Sequence, residues 1–97
     1  MAIDYDALMT FPIPDAYQDY TEKDCILYAL GLGFGEKPTD PRHLRYVYEK
    51  DLVAFPTMAI VLAMGGSWAR LDGTGINFTQ LLHAEQQFQI HRPLPTR

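Results

Sequence analysis

The chain has 97 residues, with eight Lys and Arg side chains against twelve Asp and Glu, for a formal net charge of −4. This length suits one small domain and excludes two independent ones, and the scattered basic residues argue against a nucleic-acid ligand. The longest apolar run, residues 53–64, is broken by Pro56 and Thr57 and is shorter than the roughly 20 residues of a membrane span, so we expect no span. A core this small is marginal, and we therefore expect a partner that covers further apolar surface.

The first 20 residues contain two prolines and four aromatic side chains but no helical period, which predicts an extended arm. A capping-box pattern follows, with Thr21 as the N-cap, Asp24 three residues further on and an apolar run behind them. This pattern predicts a helix. Three alternating glycines, beginning at Gly31, should end it because glycine leaves the backbone too free to stay helical.

The middle of the chain predicts one strand and one buried helix. Apolar and polar residues partly alternate over residues 44–48, which favours a short half-buried strand. Pro56 stands where a first helical turn accepts proline, and residues 58–64 are apolar on all sides before the Gly65-Gly66 pair. A helix without a polar face must be wrapped on most sides, and in so short a chain a curved sheet is the natural wrapper.

The last segment predicts a single turn over residues 78–81 and then a long strand. Over residues 82–90 four apolar side chains and Gln86 fall on one face and only polar side chains on the other, so the strand should have one polar face. Two strands do not make an independently stable sheet, since three or more with an apolar face are generally required. We therefore expect strands from outside these 97 residues to complete the fold.

Two pairs of polar residues are candidates for acid–base chemistry. His83 and Glu85 lie two apart on the polar face of the last strand and could share a cleft; the alternative is a solvated or hydrogen-bonded strand face. His91 lies on the same face, but the three residues lack the clustered spacing of a zinc site, so no metal site is expected. Asp40 and His43 flank a Pro-Arg dipeptide in a predicted loop, where a turn-forming aspartate is favoured over a dyad.

Three further motifs favour structural roles. Cys25 lies in the first turn of the predicted helix, where the thiol pKa can be lowered, but with no histidine nearby in sequence it is typical of a small buried residue. The glycine-rich residues 31–35 follow a helix instead of leading from a strand into one, which argues against a phosphate-binding loop. Trp68, close to Arg70, is typical of a packing anchor or an interface residue.

Several stretches resemble one family when taken together. They are residues 20–33 (YTEKDCILYALGLG), 44–49 (LRYVYE), 55–57 (FPT), 77–86 (NFTQLLHAEQ) and 92–95 (RPLP). In this order they are similar to the N-terminal half of the (R)-specific 2-enoyl-CoA hydratases of the MaoC-like dehydratase group, often called hydratase 2. The resemblance covers almost the whole chain, from about residue 20 to the end.

The resemblance implies an α+β hot-dog fold, in which a curved antiparallel sheet wraps a central helix, with residues 1–97 as a truncated N-terminal repeat. Family members carry two such repeats, and their catalytic Asp and His lie in the second, with His five positions after Asp. Here Pro38, Phe78 and Gln86 stand five residues before the three histidines. The resemblance therefore implies that the Asp/His dyad comes from a missing half or a second chain, and that this chain alone is inactive.

The implied reaction is the reversible addition of water to a trans-2-enoyl-CoA, giving a (3R)-3-hydroxyacyl-CoA, without a metal or redox cofactor. In the family a His-Gly-Glu-Gln motif touches the acyl-CoA thioester, and its first two residues correspond here to His83 and Ala84. Alanine in place of glycine adds a methyl group where the backbone approaches the ligand.

The same resemblance implies a role in fatty-acid β-oxidation and a dimeric assembly. The expected compartment is the cytoplasm in a bacterium and the peroxisome in a eukaryote. A hypothesis from another class stays open beside it: the chain is a non-catalytic acyl-CoA-binding or scaffolding hot-dog subunit.

Overall fold

The computed structural model describes residues 3–63 and 68–97, which form two compact units. The first unit comprises Met1–Tyr17 and Ala63–Gln87, and the second comprises Gln18–Leu62 and Phe88–Arg97. No helix within the described ranges is long and apolar enough to cross a membrane.

The first unit begins with helix α1, Tyr5–Met9. The Asp4 side chain caps this helix by accepting a hydrogen bond from the Ala7 amide at 3.1 Å. The extended arm predicted for the first 20 residues is therefore wrong over α1, because a capping aspartate starts a short helix there.

Two 3₁₀ helices, Trp68–Arg70 and Phe78–Gln80, follow in the same unit. Asn77 caps the second one, where its Oδ1 accepts hydrogen bonds from the Thr79 amide at 3.2 Å and from the Thr79 hydroxyl at 2.6 Å. The single turn predicted over residues 78–81 is confirmed to within one residue.

The second unit is organised around helix α2, Glu22–Gly31. The Thr21 amide donates a hydrogen bond to Asp24 Oδ2 at 2.8 Å, which confirms the predicted capping box. The helix ends at the first of the three glycines, as predicted. Gly35 needs to be glycine, since its φ is +94° and a Cβ there would lie 3.3 Å from a methyl carbon of Leu30.

Helix α3, Pro41–Val47, lies where the alternation of residues 44–48 predicts a strand, so that prediction is wrong. Asp40 caps α3 by accepting a hydrogen bond from the Arg42 amide at 2.9 Å. Pro41 occupies the first helical position, where a missing N–H costs nothing. These two start signals outweigh an alternation that covers only five residues.

The buried helix predicted over residues 58–64 is instead a 3₁₀ helix, Pro56–Ile60. Its proline stands in the first turn as predicted, and Met58 is only 3% exposed. The neighbouring side chains are half-buried or exposed, so the element is not wrapped on all sides. Met64 and the glycine pair expected to end the helix lie outside the described residues.

Cys25, Ala54 and Met58 form the core of the second unit. Partly buried side chains pack around them: Tyr20, Tyr28, Leu52, Leu62 and Leu94. The end of the chain closes this core, because the Tyr20 hydroxyl donates to the Pro95 carbonyl at 2.6 Å and the Cys25 thiol donates to the Thr96 carbonyl at 3.8 Å.

Residues 82–90 are all exposed, and no described residue belongs to a β-strand. The long strand predicted there is therefore wrong for this structure. An alternating pattern suits a strand, but a strand also needs a neighbour to accept and donate its backbone hydrogen bonds. The curved sheet expected of an α+β hot-dog fold is consequently not confirmed.

Candidate functional site

A cavity of about 630 Å³ in the first unit includes both predicted substrate-binding residues, His83 and Ala84, together with Glu85. Its other lining residues are mostly apolar: Ala63, Trp68, Ala69, Phe78, Leu81, Leu82 and Gln86. Trp68 is 40% exposed, so this predicted packing anchor also leaves ring surface open to a ligand. An apolar cavity with a few polar groups is the usual form of a small-molecule site.

The wall of this cavity is fixed by contacts within the first unit. Thr74 is 4% exposed, and its hydroxyl donates a hydrogen bond to the Leu71 carbonyl at 3.1 Å. The guanidinium carbon of Arg70 lies 4.1 Å from the centroid of the Phe78 ring, a cation–π contact. The two 3₁₀ helices that supply the aromatic lining are therefore held in place by their own side chains.

The imidazole of His83 is exposed and makes no hydrogen bond to another described residue. Both of its ring nitrogens can therefore contact a ligand. Glu85 is exposed in the same cavity, whereas His91 lines a different cavity in the second unit. Within residues 3–63 and 68–97, no three His, Cys, Asp or Glu side chains are grouped so as to hold a metal ion.

Asp40 and His43 both have structural roles, in keeping with the preference for a turn-forming aspartate. Asp40 pairs with Arg42 at 3.0 Å, and the guanidinium beside it lowers the pKa of the Asp40 carboxyl. The Nδ1 atom of His43 accepts a hydrogen bond from the Gly35 amide at 3.0 Å. The two side chains are engaged with different partners and do not form an acid–base dyad.

His43 also belongs to an aromatic cluster that the sequence reading missed. The Phe34 ring contacts three rings, those of His43, Tyr46 and Phe55, with centroids 5.6, 4.7 and 5.0 Å away. Such pairs add packing energy beyond the area that they bury. The sequence signal is weak, because the four rings come from three separate segments: the glycine-rich loop, helix α3 and the residue before Pro56.

Cys25 is 1% exposed, which confirms the prediction of a small buried residue. Burial raises the pKa of its thiol, and the nearby charge of Asp24 raises it further. A buried thiol with a raised pKa is a poor nucleophile, so Cys25 acts by packing.

A second cavity, of about 440 Å³, lies in the second unit and was not predicted. Arg45, His91 and Arg92 line it, together with Tyr46. Its remaining lining is apolar: Val53, Ala54, Pro56, Ile90, Pro93 and Leu94. The two arginines are too far apart in sequence for any spacing rule to pair them. They line one cavity because residues 88–97 pack against residues 18–62 within the second unit.

A comparison with known protein families shows which family the chain belongs to. Residues 17–97 match the family described as the MFE-2 hydratase 2 N-terminal domain. The chain therefore belongs to this family, as the resemblance of its sequence motifs indicates. No solved structure matches the chain.

Curated relatives of the chain come from an animal, a plant and a bacterium. It is 37% identical over 89 residues to the peroxisomal multifunctional enzyme type 2 of Mus musculus, covering 86% of this chain and 12% of the relative. It is 34% identical to the peroxisomal enoyl-CoA hydratase 2 of Arabidopsis thaliana, covering 95% and 32%. Against the enoyl-CoA hydratase ChsH3 of Mycobacterium tuberculosis the identity is 31%, covering 98% and 35%. The chain thus spans about a third or less of the length of these relatives.

Proposed function

We propose that this chain is the N-terminal, substrate-binding portion of an (R)-specific enoyl-CoA hydratase. The observation that carries the proposal is the family match over residues 17–97, joined to relatives that are named as enoyl-CoA hydratases. The reaction adds water across the trans-2,3 double bond of an enoyl-CoA, placing the hydroxyl on C3 and a proton on C2. In a eukaryote we place this activity in the peroxisome, as the names of two relatives suggest, and in a bacterium in the cytoplasm.

In this proposal the catalytic Asp and His belong to a complementary half or a second chain. The sequence supports this because the residues five positions before its histidines are Pro38, Phe78 and Gln86, none of which can transfer a proton. This chain then supplies binding and orientation, which raise the rate by holding the acyl thioester in a reactive geometry.

His83 and Ala84 are the residues that we propose touch the acyl-CoA. His83 supports the role by its exposure and by the absence of a hydrogen bond to any other described residue, since an unengaged imidazole can donate to a thioester oxygen. Ala84 would approach through its backbone. The apolar lining of the cavity, from Trp68 to Leu82, suits the acyl chain.

The curved sheet of the hot-dog fold is proposed to form only with the complementary half. Residues 82–90 support this because Leu82 is 85% exposed and Phe88 is 47% exposed. Apolar side chains at alternate positions of an extended segment suit a strand that pairs with a neighbour and covers one face. The same assembly would give the dimeric form expected of the family.

The test is to purify the chain from its source, measure the intact mass, and assay the material with crotonyl-CoA by the loss of enoyl-thioester absorbance. The proposal expects the 97-residue chain alone to show only the uncatalysed rate. Activity should appear when a polypeptide bearing the Asp/His motif is present, either as a continuation of the chain or as a companion. Turnover by the chain alone, or acyl-CoA binding without activity in any assembly, would contradict it; the second result favours the non-catalytic subunit.

The role of His83 is tested in the active assembly with His83→Ala, with Gln89→Ala as the control at an exposed residue of the same segment outside both cavities. Loss of one hydrogen bond worth ~0.5–1.5 kcal/mol should raise KM about 2- to 12-fold, while kcat falls less because the proton-transfer groups lie elsewhere. The control should leave KM for crotonyl-CoA close to the wild-type value. An unchanged KM in a folded His83→Ala variant would show that His83 is solvated and does not contact the ligand.

A further inference from the structure

The second cavity has a charge pattern that the rest of the chain does not share. Three basic side chains, Arg45, His91 and Arg92, line it, and none of its lining residues is a carboxylate. The chain as a whole carries a net charge of −4, so this cavity is opposite in charge to the chain as a whole. Such a concentration of basic groups in a concave site attracts anions.

The two arginines are not neutralised within the described part of the chain. There the one ion pair joins Arg42 to Asp40, and neither Arg45 nor Arg92 takes part in it. Arg45 is held instead against the Tyr46 ring, with 5.3 Å from its guanidinium carbon to the ring centroid. A guanidinium that stacks on a ring keeps its in-plane N–H groups for an anion.

Both sides of the cavity are fixed to the core of the second unit. On one side the Arg45 carbonyl accepts a hydrogen bond from the Val53 amide at 2.8 Å, and Tyr46 packs in the aromatic cluster. On the other side Leu94 packs on the core and Pro95 is bound by the Tyr20 hydroxyl. The arginines therefore extend from positions that are ordered before any ligand binds, which lowers the entropy lost on binding.

We propose that this cavity binds a phosphate monoester carried on an apolar or aromatic group. A phosphate monoester has a charge of about −1.5 to −2 at neutral pH and three acceptor oxygens, which match two guanidinium forks and an imidazole better than the single charge of a carboxylate does. The apolar lining and the Tyr46 ring face the remainder of the ligand. The inference is independent of the hydratase proposal, because the binding needs neither a thioester nor turnover.

The experiment uses the full 97-residue chain in the form in which it purifies, with phenyl phosphate as the probe. Titration calorimetry should give a Kd of about 1 mM or below for phenyl phosphate. Benzoate, which has the same ring and a carboxylate, should bind at least about fivefold more weakly, and so should inorganic phosphate, which lacks the ring. Equal or tighter binding of benzoate would overturn the assignment to phosphate.

Two arginine variants and one matched control locate the site. Arg45→Gln and Arg92→Gln should each weaken the binding of phenyl phosphate about tenfold, because each removes a charge-assisted hydrogen bond. Arg97→Gln makes the same change of net charge at an exposed residue outside the cavity, and should change Kd less than about twofold. An equal loss in the control would show that only net charge matters, and would overturn the proposal.

A measurement on the unaltered chain guards against misfolded variants. The side-chain Nε–H signals of Arg45 and Arg92 should shift in NMR spectra as phenyl phosphate is added, whereas that of Arg97 should not. Shifts elsewhere with none at the two cavity arginines would overturn the proposal. Neither outcome bears on hydration of crotonyl-CoA, so the two proposals stand or fall separately.

Discussion

The sequence predicts both helix α2 and a strand over residues 82–90, yet only the helix forms in the structure. The helix pairs each amide with a carbonyl of its own segment, so its pattern and its caps are sufficient once one face is buried. A strand finds its backbone partners on another segment, and its pattern says nothing about whether that segment is present. The alternation of residues 82–90 therefore indicates only that they can form a strand when a partner segment is present. The capping box of α2, by contrast, predicts a helix that forms without such a partner.

The contrast between α2 and residues 82–90 is tested most directly by placing a carboxylate in each of the two segments. Ala29, in α2, is 0% exposed, so Ala29→Asp should lower the free energy of unfolding by about 3 kcal/mol or more through crowding and burial of a polar group. Leu82→Asp, at a side chain 85% exposed, should change it by less than about 0.5 kcal/mol in the isolated chain. Urea denaturation followed by far-UV circular dichroism measures both.

Leu27→Asp is the matched control within α2, since Leu27 is 57% exposed on the same helix. It should cost well under half as much as Ala29→Asp. A large loss in Leu82→Asp, comparable with that of Ala29→Asp, would mean that residues 82–90 are already buried by pairing in solution.

How much the sequence could predict follows from the same contrast. The capping box of α2, the turn near Phe78 and the burial of Cys25 depend on local signals, and each is confirmed. Helix α3 is also locally encoded, since Asp40 before Pro41 is a start signal, but the alternation of residues 44–48 competes with it by predicting a strand. The capping Asp4 at the start of α1 is a local signal of the same kind.

The two cavities also differ in whether their residues are close together in the sequence. The motif around His83 could be found in sequence because its residues stand next to one another in the chain. The cavity of Arg45 and Arg92 could not be found, because these residues line one cavity only through the packing of Leu94 and Pro95 on the core of the second unit. Long-range contacts of this kind leave no spacing that a single sequence can reveal.

A second prediction removes the local signal on which α2 depends. The Asp24 carboxylate accepts a hydrogen bond from the Thr21 amide at 2.8 Å, so Asp24→Ala should lower the free energy of unfolding by about 1 kcal/mol. Lys23→Ala, one residue earlier and exposed, is the control and should have an effect within about 0.5 kcal/mol. Equal effects of the two substitutions would show that packing alone holds the start of α2.

A third prediction concerns the long-range contact that ties the chain end to α2. Tyr20→Phe keeps the ring but removes the hydroxyl that donates to the Pro95 carbonyl, and should cost about 0.5–1.5 kcal/mol. Tyr17→Phe makes the same change at a ring that is 89% exposed and should be close to neutral. Amide exchange at Leu94 and Thr96 should become faster in the first variant and stay unchanged in the second.

The smallest expected effect is a loss of stability in alkali that comes from the core of the second unit. Burial raises the thiol pKa of Cys25 above its ordinary value of 9.0 and the hydroxyl pKa of Tyr20 above 10.0. Below about pH 8 both groups keep their protons in the folded and the unfolded chain, so the free energy of unfolding is unaffected by them. Above that pH the unfolded chain loses its protons first and is favoured, so stability falls until the raised folded-state pKa values are passed.

The substitution Cys25→Ala separates the contribution of the thiol from that of Tyr20 to the decline of stability with pH. The substitution lowers stability at all pH values by removing buried sulfur, but the decline between pH 8 and about pH 10 should be shallower than in the unaltered chain, and the tyrosine contribution should remain at higher pH. Denaturation midpoints at half-unit pH steps measure the slope, and Asp24→Ala should also reduce it, since the Asp24 charge is the second cause of the raised pKa of the thiol. Parallel pH profiles for Cys25→Ala and the unaltered chain would mean that the thiol titrates alike in the folded and the unfolded chain. The first turn of α2 would then be as exposed to solvent as residues 82–90.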